Sequence, residues 1–293
     1  MGAESVTKRG DHFVVDGKKV FIKTNSSPHA ENLCRGEKAS LETIRATATV
    51  HAPRPLAVFS TTKGTWQLAC EYLDLDDEVD AREALGEAVA KMHKHNMDLL
   101  DAPSSGDFVG EQRPEGERRF GFSVPTCCGV NRQNNEWCDD WRTFFIRCRL
   151  KPQVDAIVEK HNEHELASSW SSLEAATSRL LSDTDNVRPS LVHGDLWSGN
   201  WGSVKGEPVI FDPSSSYSDA EFETGIQNMF GGFGGPYNKG YDKVIAPRPG
   251  WPQRRFLYLL YHNLNHWNLF GSGYRSSSLS LIRSVCTGDE DSD

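Results

Sequence analysis

The sequence predicts an α+β protein with two unequal lobes, a small antiparallel-sheet lobe at the amino terminus and a larger, mainly helical lobe. Short β-rich runs separated by turn residues fill much of the first 73 residues. From residue 85 onward, apolar residues recur at helical spacing. The length of 293 residues allows one large domain or two lobes. We therefore divide the chain into an N-lobe (1–73), a C-lobe (74–284) and an acidic tail (285–293).

Turn and periodicity signals define the N-lobe. The predicted elements are a hairpin over 13–23, a helix over 30–46 and a second hairpin over 56–71. The first hairpin turns at Asp16-Gly17 and the second at Lys63-Gly64, because glycine accepts the positive φ that tight turns need.

The acidic stretch 74–80 marks the predicted junction with the C-lobe. Beyond it, helical patterns favour helices near 85–92, within 138–182 and over 252–270 as the final helix. Residues 101–118 are predicted as a polar loop rich in Gly and Pro. From about Ser276 onward, we expect a solvated and frayed terminus.

Charge and composition exclude several classes of protein. The 41 acidic and 32 basic residues give a net charge of −9, which argues against a nucleic-acid or membrane partner because both need clustered cations. The apolar run 256–261 is shorter than the roughly 20 residues of a membrane helix. Seven scattered cysteines show no Cys-x-x-Cys pair or zinc-ribbon spacing. We expect a reduced, soluble, cytoplasmic protein.

The segment HGDLWSGN, residues 193–200, carries the densest chemical signal. Asp195 precedes Asn200 by five residues, as in the kinase catalytic loop, and Asp212 ends an apolar run twelve residues later. Phosphoryl transfer needs a carboxylate that orients the attacking hydroxyl and oxygen ligands for Mg²⁺. Taken singly, Asp195 is typical of a turn and Asn200 of a cap. Together, the three predict a catalytic Asp195 and the metal ligands Asn200 and Asp212.

A kinase also needs a lysine that contacts the α- and β-phosphates and a helix carboxylate that holds this lysine. Lys23 ends the second strand of the first hairpin, and Glu37 lies in the following helix. We predict that these two residues form the pair. Glu42 is the competing partner, which we expect to be a solvated helix residue.

Three further ATP-contacting residues are predicted from their position along the chain. The phosphate-covering loop should precede the first hairpin, where only residues 2–5 are available, and Ser5 is the predicted contact. Glu71 and Leu73 fall at the lobe junction, where a hinge would meet adenine. No GxxxxGK[ST] motif occurs, which disfavours a P-loop NTPase. His161 and His164 are not part of an HExxH motif, so we interpret them as surface residues rather than zinc ligands.

Several segments together resemble the fructosamine-3-kinase/ketosamine-3-kinase family. The most specific are HGDLWSGN and NHWN, and the others are VFIKTN, EKASLETIRAT, TCCGVNRQNNEWCDDW, PVIFDPSSSYSDAEFETGI and MFGGFGGPY. The resemblance runs from about residue 2 to residue 284. It implies a protein-kinase-like fold, shared with aminoglycoside and choline kinases, and ATP-dependent phosphorylation of the 3-hydroxyl of ketosamines. Because the phosphorylated adduct breaks down and regenerates the amine, the resemblance implies a role in deglycation.

The resemblance also assigns residues, position by position. It implies that Asp195 is catalytic, that Asn200 and Asp212 bind Mg²⁺, and that Lys23 and Glu37 anchor the phosphates. It further implies that Trp197 and His266 face the sugar, although the residues alone equally allow both in the core.

The chain departs from the family pattern at its start, which lies almost inside the phosphate loop that follows a helix in the family. This departure implies weaker ATP binding. Some relatives have a cysteine in this loop, where Ser5 or Val6 stands here, so redox control through the loop is not expected.

The prediction is therefore an ATP- and Mg²⁺-dependent kinase that acts on glycated proteins or small ketosamines and is a monomer or weak dimer. Two alternatives stay open: a kinase for another hydroxylated amine, such as an aminoglycoside, and a nucleotide-binding pseudokinase. The retained Lys23, Asp195, Asn200 and Asp212 argue against the pseudokinase.

Overall fold

An antiparallel sheet and one helix form the N-lobe. The computed structural model of the protein describes residues 5–77, 79–102, 115–183 and 187–288. The sheet has the order β1-β2-β3-β5-β4. Its strands are β1 (Val6–Arg9), β2 (His12–Val15), β3 (Lys18–Asn25), β4 (Pro55–Ser60) and β5 (Trp66–Glu71). Both predicted hairpins are thereby confirmed, and β3 lies at the centre of the sheet.

Helix α1 (Ala30–Ala46) packs on this sheet and coincides with the predicted helix. Leu33, Leu41 and Ile44 recur at helical spacing and are buried, so one apolar face of α1 is covered. Glu42 is exposed on the other side and pairs with Lys38, as expected of a solvated helix residue.

Helices dominate the C-lobe. They are α2 (Arg82–Asp101), α3 (Trp141–Phe144), which continues through a π-helical turn (Phe145–Leu150) into α4 (Lys151–His161), α5 (His164–Leu180), α6 (Thr224–Met229), α7 (Gly234–Asp242), α8 (Trp251–Phe270) and α9 (Arg275–Thr287). The predicted division into a sheet lobe and a helical lobe is confirmed. Within the described ranges, none of the helices combines the length and the apolar character that crossing a bilayer requires.

Short strand pairs lie among these helices. They are β6 (Cys127–Cys128) with β7 (Asn131–Arg132), β8 (Ser190–Val192) with β11 (Ser216–Ser218), and β9 (Trp201–Val204) with β10 (Glu207–Ile210). The loop after β8 and the residues after β10 therefore lie next to one another, which brings segments far apart in sequence to one place.

Two hydrophobic cores stabilise the molecule. One lies within the C-lobe around Trp141, Phe145, Phe222 and Tyr258. The other includes residues from both sides of position 73, among them Leu41 of α1, Leu85 of α2, Leu196 and Ile210. Because this second core is continuous, it holds the sheet lobe and the loops of the C-lobe in a fixed arrangement.

The expected frayed terminus from Ser276 onward is wrong, because α9 occupies residues 275–287. Leu279, Ile282 and Val285 are buried against α8 and α5. These residues recur every three positions, as in an amphipathic helix. The many serines around them make this pattern hard to recognise in the sequence. The predicted boundary at residue 284 therefore cuts through a packed helix, and 252–270 is not the last helix.

Some sequence predictions fall outside the described residues. These are residues 2–4 of the expected phosphate loop, residues 103–114 of the predicted polar loop, and residues 289–293 of the acidic tail.

We predict that Ile282→Ala lowers the free energy of unfolding by about 2–5 kcal/mol, because it leaves a cavity between α9 and α8. Arg283→Ala, at the exposed neighbouring position, should change it by less than about 0.5 kcal/mol. Urea denaturation of the two variants measures the difference. Equal small losses would show that α9 is not packed in solution.

We also predict that Gly194→Ala is more destabilising than Gly206→Ala. Both glycines have left-handed φ, 83° and 82°, so alanine costs about 1–2 kcal/mol at either position. A Cβ at Gly194 would lie 2.4 Å from the Ser214 carbonyl oxygen, whereas one at Gly206 meets nothing within 4 Å. The crowding should add about 1–3 kcal/mol at Gly194. Equal losses in urea denaturation would contradict this close approach.

Candidate active site

A lysine between two carboxylates joins the lobes. Lys23 on β3 donates from Nζ to Glu37 Oε2 of α1 at 2.8 Å, and the same Nζ lies 3.1 Å from Asp212 Oδ2. Asp212 follows β10 and has a left-handed φ of 59°, a conformation that is uncommon outside glycine. The predicted pair of Lys23 and Glu37 is thus observed, and Asp212 completes it from the other lobe.

Burial and charge oppose each other at this lysine. Burial disfavours the charged form of Lys23, but the Glu37 and Asp212 carboxylates outweigh this effect and raise its pKa. Burial raises the pKa of Glu37 to about 7, and the neighbouring Lys23 ammonium opposes that rise. The lysine is therefore a fixed cation that faces the cleft between the lobes.

The loop between β8 and β9 holds Asp195 and Asn200 together. Asn200 Nδ2 donates to the Asp195 carbonyl oxygen at 2.8 Å and lies 3.4 Å from Asp195 Oδ2. His193 connects this loop to the strand that precedes Asp212, because its Nε2 donates to the Phe211 carbonyl oxygen at 2.9 Å. Its Nδ1 accepts from the Asp195 amide at 3.2 Å.

The surroundings of Asp195 favour its protonated form. Burial, followed by the negative charges of Glu223 and Asp212, raises the pKa of Asp195 to about 7, although Lys23 and Asn200 act in the opposite direction. A carboxylate whose pKa lies near neutrality is suited to accept a proton from a hydroxyl.

Two adjoining pockets meet at Lys23, Glu37 and Asp212. The first, of about 430 Å³, lies under the sheet and is also lined by Asp11, Phe21, Leu41, Pro53, Leu68, Cys70, Glu71, Tyr72, Leu73, Leu75 and Phe211. The second, of about 320 Å³, is also lined by Asn25, Leu33, Cys127, Gly129, Val130, Asp195, Trp197, Asn200 and Pro213. Both pockets are thus lined mainly by apolar surface, and the second also contains the polar side chains of the catalytic motif.

The structure places the predicted hinge residues, Glu71 and Leu73, at the first pocket, but not the predicted phosphate-loop residue Ser5. Glu71 and Leu73 line the first pocket together with Lys23. Ser5 does not line it, so the predicted position of Ser5 over the phosphates is not found. Ser5 lies before β1, where its amide donates to Asp16 Oδ1 at 2.9 Å, and Asp16 belongs to the β2–β3 turn. This turn is at the end of the hairpin away from Lys23.

The turn between β1 and β2, rather than Ser5, lies at the first pocket. It contains Gly10 and Asp11, and Asp11 lines the first pocket. Sequence reasoning missed it because β1 had not been recognised. The dipeptide Gly10-Asp11 was the available signal, since Gly-Asp is a common two-residue hairpin turn.

Trp197 and His266 are connected by aromatic contacts. Trp197 lines the second pocket, and its ring centroid lies 5.2 Å from that of Phe230. Phe230 lies 5.6 Å from His266. His266 is buried, its Nδ1 donates to the His262 carbonyl oxygen at 2.8 Å, and burial lowers its pKa. Trp197 thus lies at the pocket, whereas His266 lies behind Phe230 and is not among the lining residues.

Oxygen ligands for a divalent cation are present between the two pockets. Asp212 contributes a carboxylate that is about half exposed, at 43%. Asn200 uses its amide nitrogen for Asp195, so its amide oxygen remains the acceptor. Carboxylate and amide oxygens are the donors that Mg²⁺ prefers, and both residues line the second pocket. The donor set therefore fits Mg²⁺.

Solved structures agree with this architecture. A candidate fructosamine-3-kinase from Haemophilus somnus 129PT has a TM-score of 0.77 and 20% identity, covering 97% of this chain and 92% of that chain. A thermostable mutant of aminoglycoside phosphotransferase APH(4)-Ia, in ternary complex with AMP-PNP and hygromycin B, has a TM-score of 0.51 and 16% identity. Its match covers 98% of this chain and 93% of that chain. These likenesses show the fold.

Sequence comparison shows the family. The family model described as fructosamine kinase matches residues 7–287. The ketosamine-3-kinase of Mus musculus is 39% identical over 282 residues, which cover 94% of this chain and 91% of the mouse protein. Since the match spans nearly the whole chain in both comparisons, the chain belongs to the fructosamine kinase family.

Proposed function

We propose that the protein is an ATP- and Mg²⁺-dependent kinase that phosphorylates the 3-hydroxyl of ketosamines on glycated proteins or small amines, which leads to deglycation. One observation carries this proposal: Lys23 and Asp212 lie at the junction of the first pocket and the second pocket, which contains Asp195. The ketosamine-3-kinase from mouse, 39% identical, supports the substrate class.

The first pocket is the proposed ATP site. Leu68 and Leu73 offer apolar surface for adenine, and the backbone of 71–73 lies along the same pocket. Lys23, held by Glu37, contacts the phosphates, because a fixed cation next to the pocket complements their negative charge. The fold is also that of a solved phosphotransferase in complex with AMP-PNP.

The second pocket is the proposed acceptor site. A ketosamine hydroxyl placed there meets the Asp195 carboxylate, which orients the hydroxyl toward the phosphate and accepts its proton. Proton transfer need not be complete before phosphoryl transfer, because the transition state is loose in most analyses. The hydrogen bond from Asn200 helps to keep Asp195 in this orientation.

Asn200 and Asp212 are the residues that would hold Mg²⁺. When bound, Mg²⁺ supplies positive charge that neutralises the phosphate oxygens. Lys23 contacts the same Asp212 carboxylate, so the chain keeps this side chain oriented between the nucleotide pocket and the acceptor pocket.

Trp197 is the proposed sugar contact. Its indole forms part of the wall of the acceptor pocket, and an apolar ring face suits the C–H face of a sugar. His266 is proposed to act on the sugar site through the Phe230 ring, which it contacts. The relatives do not favour an aminoglycoside as the acceptor, because the relative at 39% identity is a ketosamine-3-kinase.

The cysteine thiols suit a reducing compartment. All seven cysteines are free in the structure, and we propose a cytoplasmic location for the protein as a monomer or weak dimer.

The central test of this function is Asp195→Asn. We predict that the variant loses at least about 10²-fold in kcat for a fructosamine and for a ribulosamine, because the hydroxyl is no longer deprotonated. Its affinity for ATP should stay within about twofold of wild type, since Asp195 does not line the nucleotide pocket. Coupled assays of ADP release measure turnover, and calorimetry measures nucleotide affinity.

Asp155→Asn is the matched control, because Asp155 is an exposed carboxylate on α4 that pairs with Lys151. It should keep wild-type turnover. Near-normal phosphorylation by Asp195→Asn would overturn the assignment of this residue. Preference of the wild type for an unmodified aminoglycoside would overturn the substrate class, and ATP binding without any turnover would indicate a pseudokinase.

A further inference from the structure

A row of aromatic rings leads from the acceptor pocket to the surface of the protein. Its inner end is the Trp197 indole in the pocket wall, and the next two rings, Phe230 and His266, follow at centroid spacings of 5.2 and 5.6 Å. His266 in turn lies 5.4 Å from Phe270 and 5.2 Å from Tyr274. These five residues, the aromatic row, thus extend beyond the residues that line the pocket.

The outer part of this row is open to solvent. Phe270 is 68% exposed and Phe230 is 42% exposed. From α2 onward, the part of the chain that the structure describes has three large apolar side chains with exposures of this order, and the third is Val130 at 46%. Val130 lines the acceptor pocket, so all three lie at the pocket or on the row. Scattered exposed apolar residues are ordinary, whereas neighbouring ones mark an interaction surface.

The turn of the β6–β7 hairpin adjoins the outer end of the row. Gly129 in this turn packs closely on Leu269 of α8, because a Cβ at Gly129 would lie 2.8 Å from Leu269 Cδ1. Leu269 directly precedes Phe270, and Gly129 directly precedes Val130. Val130 and Phe270 therefore belong to segments that touch each other beside the pocket.

Buried amide groups hold these two segments together. Asn131 Nδ2 of β7 donates to Asn265 Oδ1 of α8 at 2.9 Å, and Asn265 Nδ2 donates to the Cys128 carbonyl oxygen of β6 at 3.4 Å. Gln153 of α4 also donates to Asn265 Oδ1, at 3.0 Å. The surface is therefore formed before a ligand arrives, which reduces the entropy lost on binding.

The chemistry of the substrate determines what this surface meets. The amine of a ketosamine is attached close to the reacting 3-hydroxyl, so a sugar whose hydroxyl lies at Asp195 has its amine carrier near the opening of the acceptor pocket. In a glycated protein this carrier is the aliphatic stem of a lysine, followed by the polypeptide. The row begins at the pocket wall and reaches the surface, where apolar side chains next to the modified lysine can be buried against Phe230 and Phe270.

We propose that the aromatic row, with Val130 beside it, is the binding surface for the polypeptide that carries the ketosamine, and that it favours lysines with apolar neighbours in the substrate. This inference rests on the proposed function, since it takes the second pocket as the sugar site. A polypeptide is the fitting occupant because the row is continuous with that pocket and offers ring surface beyond the ring at the pocket wall.

Two peptides that carry the same lysine-linked ketosamine test the proposal. In one, leucine and phenylalanine flank the modified lysine, and in the other, serine and glycine flank it. Both are prepared as the fructosamine and as the ribulosamine. We predict that the wild type prefers the apolar peptide by at least about threefold in kcat/KM. The preference should come from KM, because the outer rings do not contact the reacting atoms.

Phe270→Ala and Phe230→Leu remove ring surface from the row, and Phe59→Ala is the matched control. Phe59 is a phenylalanine on β4 with 40% exposure, and it lines neither pocket. Both row variants should reduce the preference for the apolar peptide by at least about twofold, whereas Phe59→Ala should keep the wild-type preference. Since Phe270 is largely exposed, its substitution tests the surface without opening a core.

Equal kcat/KM values of the wild type for the two peptides would overturn the inference. A preference that survives in both Phe270→Ala and Phe230→Leu, or that Phe59→Ala reduces equally, would also overturn it. Sedimentation of the wild type tests a second copy of this chain as the occupant: a dimer that Phe270→Ala dissociates would assign the row to self-association and overturn the inference.

Failure of the proposed function gives a different result. In that case, the wild type phosphorylates neither peptide nor a small ketosamine, and the inference falls with the function. Turnover of both peptides without any preference would instead overturn the binding surface and leave the proposed function intact.

Discussion

The ion pairs of Lys23 are the interaction on which the site depends. Lys23 comes from the central strand of the sheet, Glu37 from the helix packed on that sheet, and Asp212 from the end of β10 in the other lobe. The first pocket and the catalytic motif meet where these three side chains converge. Since Glu37 is buried and faces the lysine, removing the lysine would leave a carboxylate without compensation. The hydrophobic core shared by both lobes keeps the three elements at this distance.

A second set of constraints orients the catalytic loop relative to this triad. His193 ties the loop to Phe211, and Glu223 holds the loop backbone from below. Asp195 and Asp212 belong to segments on either side of the β9–β10 hairpin, so their relative position depends on these bonds. Loop residues reach catalytic precision when buried polar groups with complete hydrogen bonding hold them. His93 of α2 and Tyr241 of α7 complete the hydrogen bonding behind Glu223.

Local signals predicted most of the fold and much of the site. The Asp16-Gly17 turn, the apolar face of α1 and the Asp195–Asn200 spacing each depend on neighbouring residues, and the structure places Lys23, Glu37, Asp195, Asn200 and Asp212 together. Position along the chain alone predicted the ATP contacts less well. Ser5 was expected at the phosphates because it precedes the first predicted hairpin, but β1 pairs with β2 and Ser5 lies at the far end of that pair, away from the pocket. The polar composition around Leu279 concealed α9. The contacts of Glu223 with the catalytic loop could not be predicted from local patterns, because they join residues 29 and 30 positions apart in sequence.

Nucleotide binding by Lys23 variants is the measurement that most directly tests the account. Calorimetric titration with ATP and Mg²⁺ should show binding to the wild type and at least a tenfold weaker affinity for Lys23→Met, which corresponds to about 1.4 kcal/mol. Lys18→Met changes an exposed lysine on the same strand and should bind like the wild type. Equal affinities of Lys23→Met and Lys18→Met would contradict the claim that Lys23 and its carboxylate partners form the phosphate site.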